Sequence, residues 1–475
     1  MKEGYIPREQ RKRILLLCDD IRVHSGVANV GREIATNTAH RFNWFNLGAA
    51  MQHPDEGKRF DVSSEINTQL GIEDANVVIQ CNNGYGNPDQ IRKLIKTEKI
   101  DAIFLITDPR YFMWLFQIEN EIRKEIPIAY LNIWDNYPAP MYNRPFYESC
   151  DALFGISKQT VNINRLVLGE KLNNKILKYV PHGLDADTFK PIDTNLKDYK
   201  DFKTQIGIKE DDFVVFYNSR NIRRKQIPDT LLAFKYFKDQ LPQEKQSKVK
   251  LLLHTEIVSD HGTDLMAVKN YLFGEDDTSI LFSTSKLSRD QLNYLYNLAD
   301  VQILLTSNEG WGLSLTEAIL AGTPIIANVT GGMQDQMRFA DEDGKWFTPD
   351  ADVPSNHTGR YKEHGNWAFP VFPTNRSIQG SPVTPYIWDD RCKPEDAADR
   401  IMEVYNLPKE ERQKLGLEGR EWALSKEAGF TAEIMGERVI EGVDEMFSTF
   451  KPRENYEFLN VTEVKTPTLP HKLLY

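Results

Sequence analysis

Short apolar runs recur along the chain, each followed by a polar or glycine-containing turn and then an amphipathic segment. In the first half they fall at 13–18, 77–80, 102–106, 129–133, 152–156 and 178–180, and in the second half at 213–217, 249–254, 280–282, 301–306 and 324–327. Runs apolar on both faces, alternating with helical patterns, predict parallel sheets covered by helices. Local signals agree. Pro228 falls in the first turn of a helix starting at 227, Ser288 and Gln291 form a capping box, and Gly322 followed by Pro324 ends another helix. The charged stretch 193–212 divides the two series and reads as a linker. The α/β chain thus divides into a Rossmann-like domain over 1–192, the linker, a second Rossmann-like domain over 213–440, and a tail over 441–475. Two such domains facing each other across a deep cleft is the simplest architecture. Within the second, 350–391 is rich in Pro, Gly and aromatic residues and lacks clean periodicity. It reads as an insertion bordering the cleft or as a structural flap.

A length of 475 residues exceeds one ordinary core, which supports two domains. A net charge of −11 disfavours nonspecific adhesion to nucleic acid or anionic membrane. The N-terminal apolar run stops at Cys18-Asp19-Asp20, too early for a signal peptide, and no run approaches the roughly 20 residues that span a bilayer. Cys18, Cys81, Cys150 and Cys392 are scattered without C-x-x-C spacing, which argues against a disulfide framework or a zinc site. The expectation is a cytoplasmic protein with no stable membrane insertion. Neither first loop carries G-x-G-x-x-G, so no dinucleotide cofactor is expected.

The chemistry concentrates in 308–332, NEGWGLSLTEAILAGTPIIANVTGG. Glu309 lies in a loop after the strand 301–306, beside Gly310, Trp311 and Gly312. Glu317 falls one turn into the following helix. A strand, a glycine-rich turn and a helix N-terminus direct backbone N–H groups at one point, which suits a phosphate. Carboxylates there would repel the phosphate itself, so they are assigned to sugar hydroxyls. After the strand 213–217 come Arg220, Arg223, Arg224 and Lys225, where basic side chains make a diphosphate site. Gly26 opens the first helix and allows close backbone approach.

These motifs resemble retaining glycosyltransferases of family 4, with their E-x7-E signature and two-domain GT-B architecture. The resemblance implies transfer of a glycosyl group from a nucleotide diphosphate sugar, the co-substrate in place of any cofactor, to a hydroxyl acceptor with retention. It gives Glu309 the donor-sugar hydroxyls and Glu317 the ribose, and it maps the family's Arg…Lys pair onto Arg220 and Lys225. Arg223 and Arg224 are then additional, with Arg224 kept among the donor-binding candidates beside Gly26, Gly310, Trp311 and Gly312. The implied tail packs back on the first domain. The sequence Asp185-Ala186-Asp187 follows His-Gly-Leu and reads as a turn, so no metal is expected.

On the acceptor side, Asp108 and Asp135 follow the strands 102–106 and 129–133, at the carboxyl ends where α/β sites lie. Trp134 stands where many family members carry a histidine, which leaves Asp135, with Asp108, as a catalytic candidate beside Glu309. Arg110, Tyr111, Trp134 and Tyr137 are the acceptor-side candidates, within an aromatic set that could stack on a sugar or on a flipped base. The acceptor class stays open among glycans, small polyols, proteins and hydroxymethylated DNA. A GT-B nucleotide-sugar epimerase or phosphorylase, and a non-catalytic sugar-nucleotide-binding protein, are the alternatives.

Overall fold

The computed structural model describes residues 3–350 and 354–454. Its strands are β1 (Lys12–Asp19), β2 (Phe42–Ala50), β3 (Arg59–Asp61), β4 (Val77–Asn83), β5 (Ala102–Ile106), β6 (Ile128–Asn132), β7 (Ala152–Gly155) and β8 (Ile176–Tyr179) in the first half. In the second half they are β9 (Phe213–Asn218), β10 (Val249–His254), β11 (Ile280–Ser283), β12 (Val301–Leu304), β13 (Ile325–Asn328), β14 (Ala368–Val371), β15 (Asn375–Ser381) and β16 (Thr384–Arg391). The first sheet runs β3-β4-β2-β1-β5-β6-β7-β8, parallel except where β3 meets β4. The second runs β11-β10-β9-β12-β13-β14 and is parallel throughout. Helices cover both, as continuous apolar strands require: Leu15, Leu16, Phe104, Val215 and Leu252 are wholly buried. This is the two-domain α/β GT-B arrangement.

Each sheet reverses strand order once, between β1 and β5 and between β9 and β12. Such a switch point splays two adjacent loops apart at the strands' carboxyl ends and opens a crevice there. The loops after β1, β5, β9 and β12 all line one cavity of about 700 Å³.

The span 193–212, expected as a linker, contains the helix Lys197–Ile206, with Tyr199 and Phe202 buried and both packed edge-on against Tyr294. Its charges face out while two aromatics hold it to the second domain. The segment 350–391 is likewise more ordered than its composition suggests. There β14 extends the second sheet, and β15 pairs antiparallel with β16 as a hairpin. Residues 351–353 lie outside the described residues.

The helix Ala432–Thr449 returns the chain to the first sheet. A Cβ on its Gly436 would stand 2.9 Å from Asn37 Cβ, and one on Gly442 would stand 2.3 Å from the Phe154 ring. Lys178 Nζ bridges to Glu441 at 3.0 Å and Glu445 at 2.7 Å. Of the expected tail, 455–475 lies outside the described residues. No helix among the described residues is long and apolar enough to cross a membrane.

Candidate active site

The loop after β12 carries Glu309 because the chain turns sharply there and is held from behind. Gly331 has φ +56°, and a Cβ on it would lie 1.9 Å from Glu309 O; the adjacent Gly332 N–H donates to that oxygen at 3.0 Å. Gln336 Nε2 donates to Trp311 O at 2.7 Å, and the Trp311 indole N–H donates to Thr316 Oγ1 at 2.9 Å. Trp311 is expected among the donor contacts. It lines the cavity, is 2% exposed and packs edge-on against Phe430, which braces the loop from the core side. Gly312, at φ +90°, caps the helix Leu313–Ala321, which Gly322 ends in the left-handed region.

Glu309 Oε2 accepts from Arg224 Nη1 at 3.0 Å and from Lys225 Nζ. Burial opposes ionisation of Glu309, but the adjacent charges of Arg224 and Lys225 overcome it and hold the carboxyl far below its usual range. Arg224 Nη1 also donates to Asn308 O at 2.6 Å, while Nη2 and Nε have no protein partner among the described residues. The structure adds to the sequence mapping. Arg224, counted as additional, is the guanidinium that meets Glu309, while Arg220 lines the same cleft with an exposed side chain and Arg223 is exposed outside it. The cause is local: residues 223–225 form a single 3-10 turn ending in Gln226 at φ +51°, which turns Arg224 and Lys225 inward together.

Glu317 projects from the helix into the same cavity. It accepts from the Tyr296 hydroxyl and from Asn218 Nδ2 at 3.3 Å. Burial pushes its pKa up to about 7 despite those hydrogen bonds.

The first domain closes the opposite wall. Ser25 caps the helix Gly26–Thr38, its Oγ accepting from Ala28 N and donating to Asp19 Oδ2 at 2.5 Å. Gly26 faces the second domain, where a Cβ would reach 3.6 Å from Leu313 Cδ1. Asp135 meets the Glu309 loop across the cleft: a Cβ on Gly310 would stand 3.0 Å from Asp135 Oδ1 and 2.7 Å from Ile133 O. Burial raises the Asp135 pKa, with Arg224 opposing and Glu309 reinforcing the shift. Thr107, ending β5, sits at φ +112°, a strained geometry for a branched residue at a cleft wall.

The remaining acceptor-side candidates separate. Asp108 is paired with Arg110 and both line a second cavity with Trp134. Tyr111 is 57% exposed at the mouth of the larger cavity, against Tyr85 at 4.8 Å. Tyr137 lines neither cavity; it is buried, its hydroxyl accepting from Asn162. Two contributors escaped the sequence reading. Asp19, which accepts from Ser25 and from the Tyr85 hydroxyl at 2.6 Å, lies at the carboxyl end of β1. The rule that selected Asp108 and Asp135 would have found it. Tyr296, which supports Glu317, had no comparable signal.

His182 lies in the cleft wall, where burial lowers its pKa to about 4, and packs edge-on to Trp311 at 6.4 Å. Its neighbour Gly183 lets the last helix pass: a Cβ there would stand 2.1 Å from Thr431 O. Asp185 Oδ1 accepts from Asp187 N at 2.9 Å, the Asx turn the sequence suggests. Away from the cleft, Asp20, His53 and Cys81 form the one metal-sized group found among the described residues. A cation already occupies it, since Arg22 Nη2 donates to Asp20 Oδ2 at 2.6 Å and to Cys81 Sγ at 3.0 Å. His53 Nδ1 accepts from Asp55 N, which leaves the proton on Nε2, facing Asp20.

Residues 198–353 match the family model described as Glycosyl transferases group 1. The chain is 28% identical over 162 residues to a D-inositol 3-phosphate glycosyltransferase of Geodermatophilus obscurus, covering 34% of each chain. It is 27% identical over 152 residues to an alpha-monoglucosyldiacylglycerol synthase of Streptococcus pneumoniae, covering 32% of each. The matched span is about a third of the length of these curated relatives. Among solved structures, sucrose-phosphate synthase from Thermosynechococcus elongatus superposes with a TM-score of 0.64 at 14% identity, over 92% of this chain and 100% of that one. Anabaena HepE in complex with UDP and glucose gives 0.62 at 15% identity, over 92% and 100%. Over 198–353 the chain is thus similar to a group 1 glycosyltransferase domain, and the chain as a whole has a GT-B fold.

Proposed function

We propose that this protein is a retaining glycosyltransferase that moves a sugar from a nucleotide diphosphate sugar to a hydroxyl acceptor, with no metal requirement. One observation carries the reading: Arg224, Lys225, Glu309, Glu317 and, from the other domain, Asp135 all line one cavity between the two switch points. Cations beside glycine-rich turns suit a diphosphate, and carboxylates beside them suit sugar hydroxyls. HepE was solved in complex with UDP-glucose, a donor of this class.

Arg224 and Lys225 hold the diphosphate and offset charge as it departs, the work a divalent ion would otherwise do. Glu309 stays ionised across ordinary assay pH, accepts from the donor sugar's hydroxyls and favours positive charge at the anomeric carbon. Glu317 accepts from the ribose. The bond from the anomeric carbon to the diphosphate oxygen breaks as the acceptor oxygen bonds on the same face. The acceptor's proton passes to the departing phosphate oxygen, so catalysis rests on positioning and charge. The cysteines, all buried and unpaired, suit a reducing cytoplasm.

The experiment is a screen of nucleotide sugars by thermal shift, then of acceptors by mass spectrometry, with NMR of the product's anomeric configuration. A product that keeps the donor's configuration supports the reading. An inverted product refutes retention, and turnover of donor alone into an epimer refutes transfer.

A further inference from the structure

The second cavity, of about 280 Å³, is built by both domains. The loop after β5 supplies Asp108 and Arg110, the loop after β6 supplies Trp134, and the hairpin supplies Thr384 and Ile387. Ile133, Asp135 and Arg224 line this cavity and the larger cleft alike, so the two share a wall at the reacting centre.

The hairpin is fastened at both ends. Towards the first domain, Trp388 N donates to Tyr137 O at 2.7 Å, Tyr142 Oη donates to Tyr386 O at 3.0 Å, and Arg110 donates to Val383 O and Thr384 Oγ1. Towards its own domain, wholly buried Asp390 accepts from Thr330 Oγ1 at 2.8 Å and Asn356 Nδ2 at 3.0 Å. Asn136 Nδ2, donating to Trp388 O at 3.0 Å and Asp390 Oδ2 at 3.3 Å, joins the two anchors.

We propose that this hairpin closes an acceptor pocket, and that Thr384 and Ile387 select a neutral single-ring polyhydroxyl acceptor, a monosaccharide or cyclic polyol. The inference rests on the glycosyl-transfer reading above and deepens it. A cavity of this size, at the small end for ligand sites, holds one ring rather than a chain. Its walls mix hydroxyl, carboxamide and carboxylate groups with the apolar Trp134 and Ile387, which suits a ring with polar rim and apolar face. Asp108 pairs with Arg110 and Glu309 pairs with Arg224, so each cation of the wall already faces a carboxylate and none calls for a phosphorylated acceptor. An acyl chain would meet these charges.

The test uses the full chain with Ile387→Trp, which fills the cavity, and Thr384→Ala, which removes one hydroxyl. Neutral monosaccharides and cyclic polyols serve as acceptors; UDP, GDP and ADP probe the donor site. We expect Ile387→Trp to lower acceptor kcat/KM by about tenfold or more, and Thr384→Ala to lower it less. Nucleotide Kd should stay at the wild-type value in both. Unchanged acceptor kcat/KM in Ile387→Trp, or a wild type that ignores the panel yet glycosylates lipid or hydroxymethylated DNA, overturns the proposal. If no nucleotide binds, the transfer reading itself fails, and saturation-transfer NMR with the same sugar panel decides the pocket. A signal in wild type that Ile387→Trp abolishes supports it; no wild-type signal, or one the variant keeps, overturns it.

Discussion

Glu317 is held in the cleft at a cost that depends on pH, and Glu317→Gln should expose that cost. Burial lifts its carboxyl from 4.5 to about 7. Below 4.5 both folded and unfolded chains carry the proton and no penalty arises. Between there and about 7 the unfolded chain has released the proton while the folded chain keeps it, so stability falls as pH rises. Above about 7 the penalty is complete. At about 1.36 kcal/mol per pH unit the interval amounts to roughly 3 kcal/mol. Glu317 is only partly shielded from the cleft, and solvent screening reduces this to about 1–2 kcal/mol. A glutamine still accepts from Tyr296 but cannot ionise. The variant should therefore match wild type in urea unfolding at pH 4 and exceed it by that margin at pH 8, while its donor KM rises. A variant no more stable than wild type at pH 8 would refute the reasoning.

Arg224→Ala and Lys225→Ala should each weaken nucleoside diphosphate binding by about 2–5 kcal/mol, the loss on truncating one side of a desolvated charge pair; calorimetric titration with UDP, GDP and ADP checks this. Turnover should persist in excess EDTA, and loss of turnover restored by magnesium or manganese would count against a cationic clamp. Gly331→Ala must displace the Glu309 carbonyl 1.9 Å from its Cβ and strain a φ of +56°, so kcat should fall with circular dichroism unchanged; wild-type kcat would remove the turn from the account.

The parallel core was legible because strands buried on both faces must be largely apolar, as β5 is throughout. Strand β2 escaped that test. Its sequence FNWFNLGAA interleaves Asn43 and Asn46, and polarity reads as surface unless the partners are known. Inside, Asn46 Nδ2 donates to Leu16 O at 3.2 Å while its Oδ1 accepts from Ile21 N at 3.2 Å. The acids of the second-domain site were legible because a glycine-broken loop and a helix start fix their places locally. The contact of Arg224 with Glu309 was not, since it depends on one 3-10 turn. Nor was the hairpin: every side chain of β15 is exposed, and what β16 contributes depends on groups of the other domain, such as Asn136 and Tyr142.

Steady-state kinetics of Glu309→Gln test the central claim most directly. If Glu309 grips the sugar more tightly as positive charge develops, kcat should fall by on the order of 100-fold. Nucleoside diphosphate affinity should survive, because Arg224 and Lys225 remain in place. Wild-type kcat at saturating donor, in a variant shown by circular dichroism to be folded, would contradict the account.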